Sequence, residues 1–143
     1  MSQQPRLIVD ASVAIKWYVP EPDSARAVPI LSSGVRLLAP DLIIAEIGNI
    51  VWRKVVRQEL TRADAERIVT AFVLACPVEI VPAAALIVSA VEIAMQHGRS
   101  VYDSLYVALA TREGCEMVTA DERLVNALAG TPLGQHVVLL TAV

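Results

Sequence analysis

The chain has few aromatic residues, few cysteines, few histidines and no long apolar run. Trp17, Tyr18, Trp52, Phe72, Tyr102 and Tyr106 are its only aromatics, 4% of 143 residues. Cys76 and Cys115 lack CxxC spacing and a neighbouring histidine, which argues against a disulfide framework or a thiolate zinc site. They read as two small apolar residues in a reducing compartment, so a cytoplasmic protein is expected. His97 and His136 are equally isolated and take no role. Residues 80–91 are uncharged but contain Pro82, and the uncharged tail 124–143 is broken by Asn126, Gly130, Pro132, Gly134, Gln135 and His136. Neither offers the ~20 apolar residues that span a bilayer, so no membrane association is expected. Residues 7–15 carry Asp10 at their centre and make a poor signal peptide. Internal repeats, low-complexity runs, a GxGxxG fingerprint and a P-loop are also missing.

What is present is aliphatic. Hydrophobic residues make up 55% of the chain and charged residues only 19%, which excludes disorder. The length suits one domain, here residues 1–143, able to bury about 68–70% of its unfolded surface without staples.

Short β-branched runs alternate with helical patterns. Strands are predicted at residues 6–10, 35–39, 78–81, 116–119 and 137–141. Residues 11–19 read as a helical turn or two closed by Pro20 and Pro22. Asp23 is placed to cap a helix toward Ser33, which Pro29 interrupts. Pro40 opens a long helix in which Leu42, Ile43, Ile47, Ile50, Val51, Trp52, Val55 and Val56 follow helical spacing. Thr61 with Asp64 resembles a capping box for a helix reaching Cys76, and residues 83–96 form a helix stopped by Gly98. Ser100 with Asp103 repeats the capping-box pattern for a helix ending at Gly114, and residues 121–128 form a short helix. Such alternation predicts an α/β three-layer sandwich around a central, mostly parallel sheet, with ligands at the carboxyl ends of the strands.

Four acids sit where a purely structural sequence rarely places them. Asp10 ends the first strand inside an apolar stretch, and Asp121 follows the fourth strand by two residues. Glu46 has Leu42, Ile43, Asn49 and Ile50 as its neighbours three and four residues away, so it is expected to look inward. Asp103 opens a helix apolar on nearly every side. Each has an ordinary explanation: a turn residue for Asp10, a capping acid for Asp103, a helix-dipole acid for Asp121. Glu46 resists one best, because a lone carboxylate among apolar neighbours costs several kcal/mol or stays protonated. Gathered at one sheet edge, the four repel one another until a cation joins them. An all-oxygen set suits Mg²⁺ or Mn²⁺ and argues against zinc. Such ions polarise a phosphoryl oxygen and acidify bound water, chemistry that serves phosphodiester hydrolysis most directly.

Val9-Asp10-Ala-Ser12, Leu42-Ile-Ile-Ala-Glu46-Ile, Val101-Tyr-Asp103-Ser-Leu-Tyr-Val-Ala-Leu-Ala110 and Thr119-Ala-Asp121-Glu-Arg-Leu124 resemble the successive motifs of PIN-domain nucleases. They are most similar to the VapC-type toxins of bacterial and archaeal toxin–antitoxin pairs. The resemblance covers nearly the whole chain, with the motifs in order and none missing. It implies a PIN-like fold and a Mg²⁺- or Mn²⁺-dependent endoribonuclease cutting single-stranded RNA. It places the metal-binding, catalytic acids on Asp10, Glu46, Asp103 and Asp121, with the hydroxyls of Ser12 and Thr119 supporting them beside the metal. It also implies a small cognate antitoxin of the VapB kind that occludes the site. A housekeeping RNA-processing PIN nuclease and an inert PIN-like binding module are the alternatives.

Charge fits this reading less comfortably. A net charge of -3 gives little general attraction for phosphates, so affinity must come from local patches and the metal. Arg53, Lys54, Arg57, Arg62 and Arg67 form the densest basic stretch, readable as an RNA track or as the wet side of a helix. Trp17, Tyr18 and Trp52 are candidates for base stacking, and equally for core or subunit contacts. The apolar excess predicts a homodimer and an antitoxin-binding groove. A receiver domain is disfavoured because the third strand runs into Val81-Pro82 and the only lysines are Lys16 and Lys54. A haloacid-dehalogenase-type phosphatase needs an acid where Ser12 stands.

Overall fold

In the computed structural model, which describes residues 4–143, five strands form one sheet. They are β1 (Arg6–Val9), β2 (Arg36–Pro40), β3 (Glu79–Val81), β4 (Glu116–Thr119) and β5 (Val137–Leu139). Their order is β3-β2-β1-β4-β5 and every pairing is parallel. The β-branched and leucine-rich residues of β1, β2 and β4 bury on both faces, as a sheet covered by helices on either side requires.

The helices are α1 (Ala11–Ala14), α2 (Ser24–Leu31), α3 (Leu42–Val56), α4 (Arg62–Leu74), α5 (Ile87–His97), α6 (Val101–Glu113) and α7 (Glu122–Leu128). This is the predicted α/β architecture. In α3, Ile43, Ile47 and Val51 recur at helical spacing and are buried, which seats the helix on the core. In α6 every residue from Ser104 to Ala110 is buried, so the middle of this helix has no wet face and packs between α5 and the sheet. Tyr18 meets Phe72 edge to face, ring centroids 6.0 Å apart, which ties the segment after α1 to α4.

Several predicted bounds shift by a residue or two, α2 runs through Pro29 instead of being interrupted there, and three further differences have a physical reason. Asp23 adopts a left-handed backbone (φ 70°) and makes no side-chain cap, because the turn through Pro20 and Pro22 sets the entry to α2. The helix predicted over residues 83–96 is a 3-10 turn at Ala83–Ala85 followed by α5, with the buried Leu86 at the junction. The last strand stops at Leu139, where the chain turns to bury Leu140.

The order of the sheet fixes where a site can form. β1, β2 and β3 advance in one direction, and β4 and β5 lie on the other side of β1. The reversal between β1 and β4 opens a crevice at the carboxyl edge, where ligands bind in sheets of this kind.

Candidate active site

Val9 pairs with Val118 across the reversal, so the next residues, Asp10 and Thr119, end side by side at the carboxyl edge. Asp10 caps α1, its Oδ1 accepting the Val13 N–H at 3.2 Å and the Ser12 hydroxyl at 2.6 Å. Its Oδ2 accepts the Thr119 hydroxyl at 2.5 Å. Both hydroxyls are themselves held: the Ala120 N–H donates to Ser12 Oγ and the Asp121 N–H to Thr119 Oγ1, each at 3.0 Å. Two relays therefore run from the backbone after β4 onto the two oxygens of one buried carboxylate. Burial pushes the Asp10 carboxyl up, and the hydrogen bonds from Ser12, Thr119 and Val13 only partly offset that.

Asp121 does cap α7, its Oδ1 accepting the N–H groups of Arg123 and Leu124. The ordinary reading of this acid is thus correct for one oxygen, and its side chain still lines the same crevice as Asp10. Asp103 departs further from its ordinary reading. Thr61 and Asp64 close their capping box reciprocally. At α6, Ser100 accepts the Asp103 N–H at 3.1 Å, but the Asp103 side chain makes no return bond. Its carboxylate instead lies 3.5 Å from the Arg99 guanidinium and lines the crevice. Burial and the nearby Asp121 raise its pKa, against a lowering by Arg99.

Glu46 turns inward from α3, half-buried, and the Tyr106 hydroxyl donates to its Oε1 at 2.5 Å. Burial pushes the Glu46 carboxyl up, the Tyr106 bond lowers it, and Asp10 and Asp103 raise it further. Burial and the adjacent Glu46 also push the Tyr106 phenol far up, so it stays a neutral donor. The repulsions close a ring, Asp10 with Asp121, Asp121 with Asp103, Asp103 with Glu46 and Glu46 with Asp10. All four acids line one open cavity of about 560 Å³.

The chemistry of this donor set suits a hard divalent cation, though not as a ready cage of four carboxylates. Among the described residues no three Asp, Glu, His or Cys side chains stand close enough to enclose an ion unaided. The reason is visible in the hydrogen bonds: Asp10 is drawn back onto Ser12 and Thr119, Glu46 onto Tyr106, and Asp121 onto α7. Mg²⁺ does not need such a cage, because it keeps several waters and takes one or two protein carboxylates plus substrate phosphates. An open, anionic cavity with oxygen donors on several sides fits a hydrated ion of that kind.

The aromatic candidates lie elsewhere. Trp17 is half-buried with its Nε1 donating to Ala27 O, Tyr18 packs on Phe72, and Trp52 faces a separate groove between α3 and α4. The aromatics that do line the cavity are Tyr102 and Tyr106, neither singled out from the sequence. Their signal was positional: Tyr102 adjoins Asp103, and Tyr106 lies three residues on, on the same helix face. Asn49 and Arg53 also line it, three and seven residues beyond Glu46 on α3.

A family model described as PIN domain matches residues 7–128. The chain is similar to Ribonuclease VapC3 of Pyrobaculum aerophilum, with 34% identity over 122 residues, 83% of this chain and 92% of that protein. Its structure is similar to the crystal structure of PAE2754 from the same organism at TM-score 0.64 and 21% identity, over 98% of this chain and 94% of that one. A toxin–antitoxin complex from Klebsiella pneumoniae is similar at TM-score 0.64 and 18% identity, over 94% of this chain and 97% of that chain.

Proposed function

Because the chain belongs to the PIN-domain family, we propose that it is a Mg²⁺- or Mn²⁺-dependent endoribonuclease that hydrolyses phosphodiester bonds in single-stranded RNA, the toxin of a toxin–antitoxin pair. The observation that carries this reading is the convergence of Asp10, Glu46, Asp103 and Asp121, from four separate segments, on one cavity at the sheet reversal. Burial and mutual repulsion raise three of them, which is the electrostatic state a bound cation relieves. The ion, when bound, supplies polarisation of a phosphoryl oxygen and a lowered pKa for coordinated water. Asp10, clamped through Ser12 and Thr119, is the fixed member of the set, and Tyr106 holds Glu46 to one orientation. Asp103 and Asp121 supply oxygens on the α6 and α7 sides.

The partner of such a toxin is a small antitoxin. A groove of about 590 Å³ between α3 and α4, lined by Trp52, Val55, Val56 and Val69, is the apolar surface we assign to it. Val88 and Met95 stand out from α5, 81% and 76% exposed, and we propose that this face joins two copies in a homodimer. Light scattering showing a monomer at micromolar concentration overturns the dimer. No helix among the described residues is long and apolar enough to cross a membrane.

The deciding experiment is incubation with defined single-stranded RNAs in Mg²⁺, Mn²⁺ or chelator, followed by mapping of the ends. Ion-dependent internal cuts are expected. Intact RNA in every ion, together with an unchanged melting temperature in Mn²⁺, leaves an inert scaffold, because an ion that binds the folded state must stabilise it.

A further inference from the structure

The acids account for the floor of the cavity but not for how an anionic strand is held above it. In the whole lining, Arg53 is the single basic residue. The structure sorts the basic stretch around it. Lys54 is tied to Glu21 and Glu59, Arg67 to Asp64, and Arg62 faces the α3–α4 groove. Arg53 has no ion-pair partner among the described residues and is exposed on the cavity side of α3.

Glu46, Asn49, Ile50 and Arg53 form one stripe at i, i+3, i+4 and i+7, all lining the cavity. At ~1.5 Å rise per residue, Arg53 lies ~10 Å along the helix from Glu46, still on the cavity side. The first turn of α6 adds Tyr102, 65% exposed and next to Asp103. A lone exposed aromatic needs no explanation. An exposed aromatic ring sharing a cavity with an unpaired guanidinium offers the two elements of single-strand recognition, a stacking face and a cation for phosphate.

We propose that Arg53 and Tyr102 form a nucleotide subsite flanking the scissile bond, Arg53 taking the phosphate and Tyr102 stacking on the unpaired base. This rests on the RNA-cleaving reading above. It predicts a preference for single strands, since bases stacked inside a duplex are not offered to Tyr102.

The test is steady-state cleavage of a short mixed-sequence single-stranded RNA in Mn²⁺, across a NaCl series. Arg53→Ala raises KM about tenfold with kcat within about twofold, and makes the slope of log affinity against log salt shallower by ~0.7, one single-strand phosphate contact. Arg53→Lys restores the slope. Tyr102→Ala raises KM about tenfold with the salt slope unchanged, because stacking releases no counterion, and Tyr102→Trp restores KM. Arg57→Ala, exposed at the end of α3 outside the cavity, changes neither quantity. If Arg53 serves only the helix terminus, Arg53→Ala lowers the melting temperature and leaves KM and slope untouched, which overturns the subsite. Unchanged KM in Tyr102→Ala overturns it too. A wild-type protein that cuts no RNA fells both this and the parent reading, whereas a cutting enzyme indifferent to these substitutions fells the subsite alone.

Discussion

The Tyr106 hydroxyl donates to Glu46 Oε1 at 2.5 Å, joining two helices sixty positions apart in the chain. Tyr106 is 2% exposed, and its phenol is held neutral, so it is a permanent donor to the carboxylate above it. Tyr106→Phe removes that donor and leaves the half-buried charge less satisfied. The bond lowers the Glu46 pKa, so its loss raises that pKa further. The acid limb of the pH–rate profile is expected to move to higher pH, and stability to fall by ~1.5–3 kcal/mol, the usual range for a bond to a charged group. An unmoved acid limb in an active Tyr106→Phe variant refutes the positioning role.

Asp10→Asn and Asp121→Asn are each expected to abolish RNA cleavage while leaving the protein folded. Asparagine caps helices about as well as aspartate, so the bonds from Val13 at α1 and from Arg123 and Leu124 at α7 survive in kind. The rotatable hydroxyls of Ser12 and Thr119 accommodate an amide beside them. What is lost is the negative charge and, at Asp10, one acceptor oxygen. Circular dichroism melts paired with cleavage assays check both halves, and full activity in either purified variant removes that residue from the site.

Much of this was legible in the sequence, for physical reasons that differ by residue. The parallel sheet followed from strand–helix alternation, and the rule on carboxyl edges pointed to Asp10 and Asp121 before any contact was known. The inward turn of Glu46 followed from its apolar helical neighbours. Asp103 was ambiguous because a capping box and a cavity-lining acid share one pattern; in the structure its side chain makes no return bond to the Ser100 backbone and lines the cavity. The Tyr106 bond was not legible, since it depends on how α6 lies against α3, a relationship no local spacing encodes. The 3-10 turn at Ala83–Ala85 was equally hidden, because three alanines carry no signal that distinguishes one helix type from the other.

Thr119→Val tests the relay onto Asp10. The side chain is fully buried and valine matches its shape, so the change removes one hydroxyl and little else. It leaves Asp10 Oδ2 without its donor and the Asp121 N–H without its acceptor. The expected cost is ~1–3 kcal/mol, the penalty for buried groups left unpaired. Cleavage is expected to fall while remaining measurable, because the Asp10 charge itself persists. A variant as stable and as active as wild type shows that the relay is incidental.

Glu46→Gln is expected to stabilise the metal-free protein even as it destroys activity. Burial first, and then Asp10 and Asp103, raise the Glu46 pKa in the folded state. The folded protein therefore holds this proton to higher pH than the unfolded chain does, and by linkage stability falls as pH rises through that window. The window opens near the ordinary glutamate value of ~4.3 and extends upward to the raised folded value. Glutamine carries no charge in either state, keeps an oxygen for the Tyr106 hydroxyl, and lifts the penalty at neutral pH. Melts in chelator should show the variant ~2–4 °C above wild type at pH 7, a site exchanged for stability, with the two curves converging in acid. Because Asp10 and Asp103 are also raised, some pH dependence should persist in the variant. A variant less stable than wild type at neutral pH in chelator means that Glu46 is better satisfied in the empty site than this geometry describes.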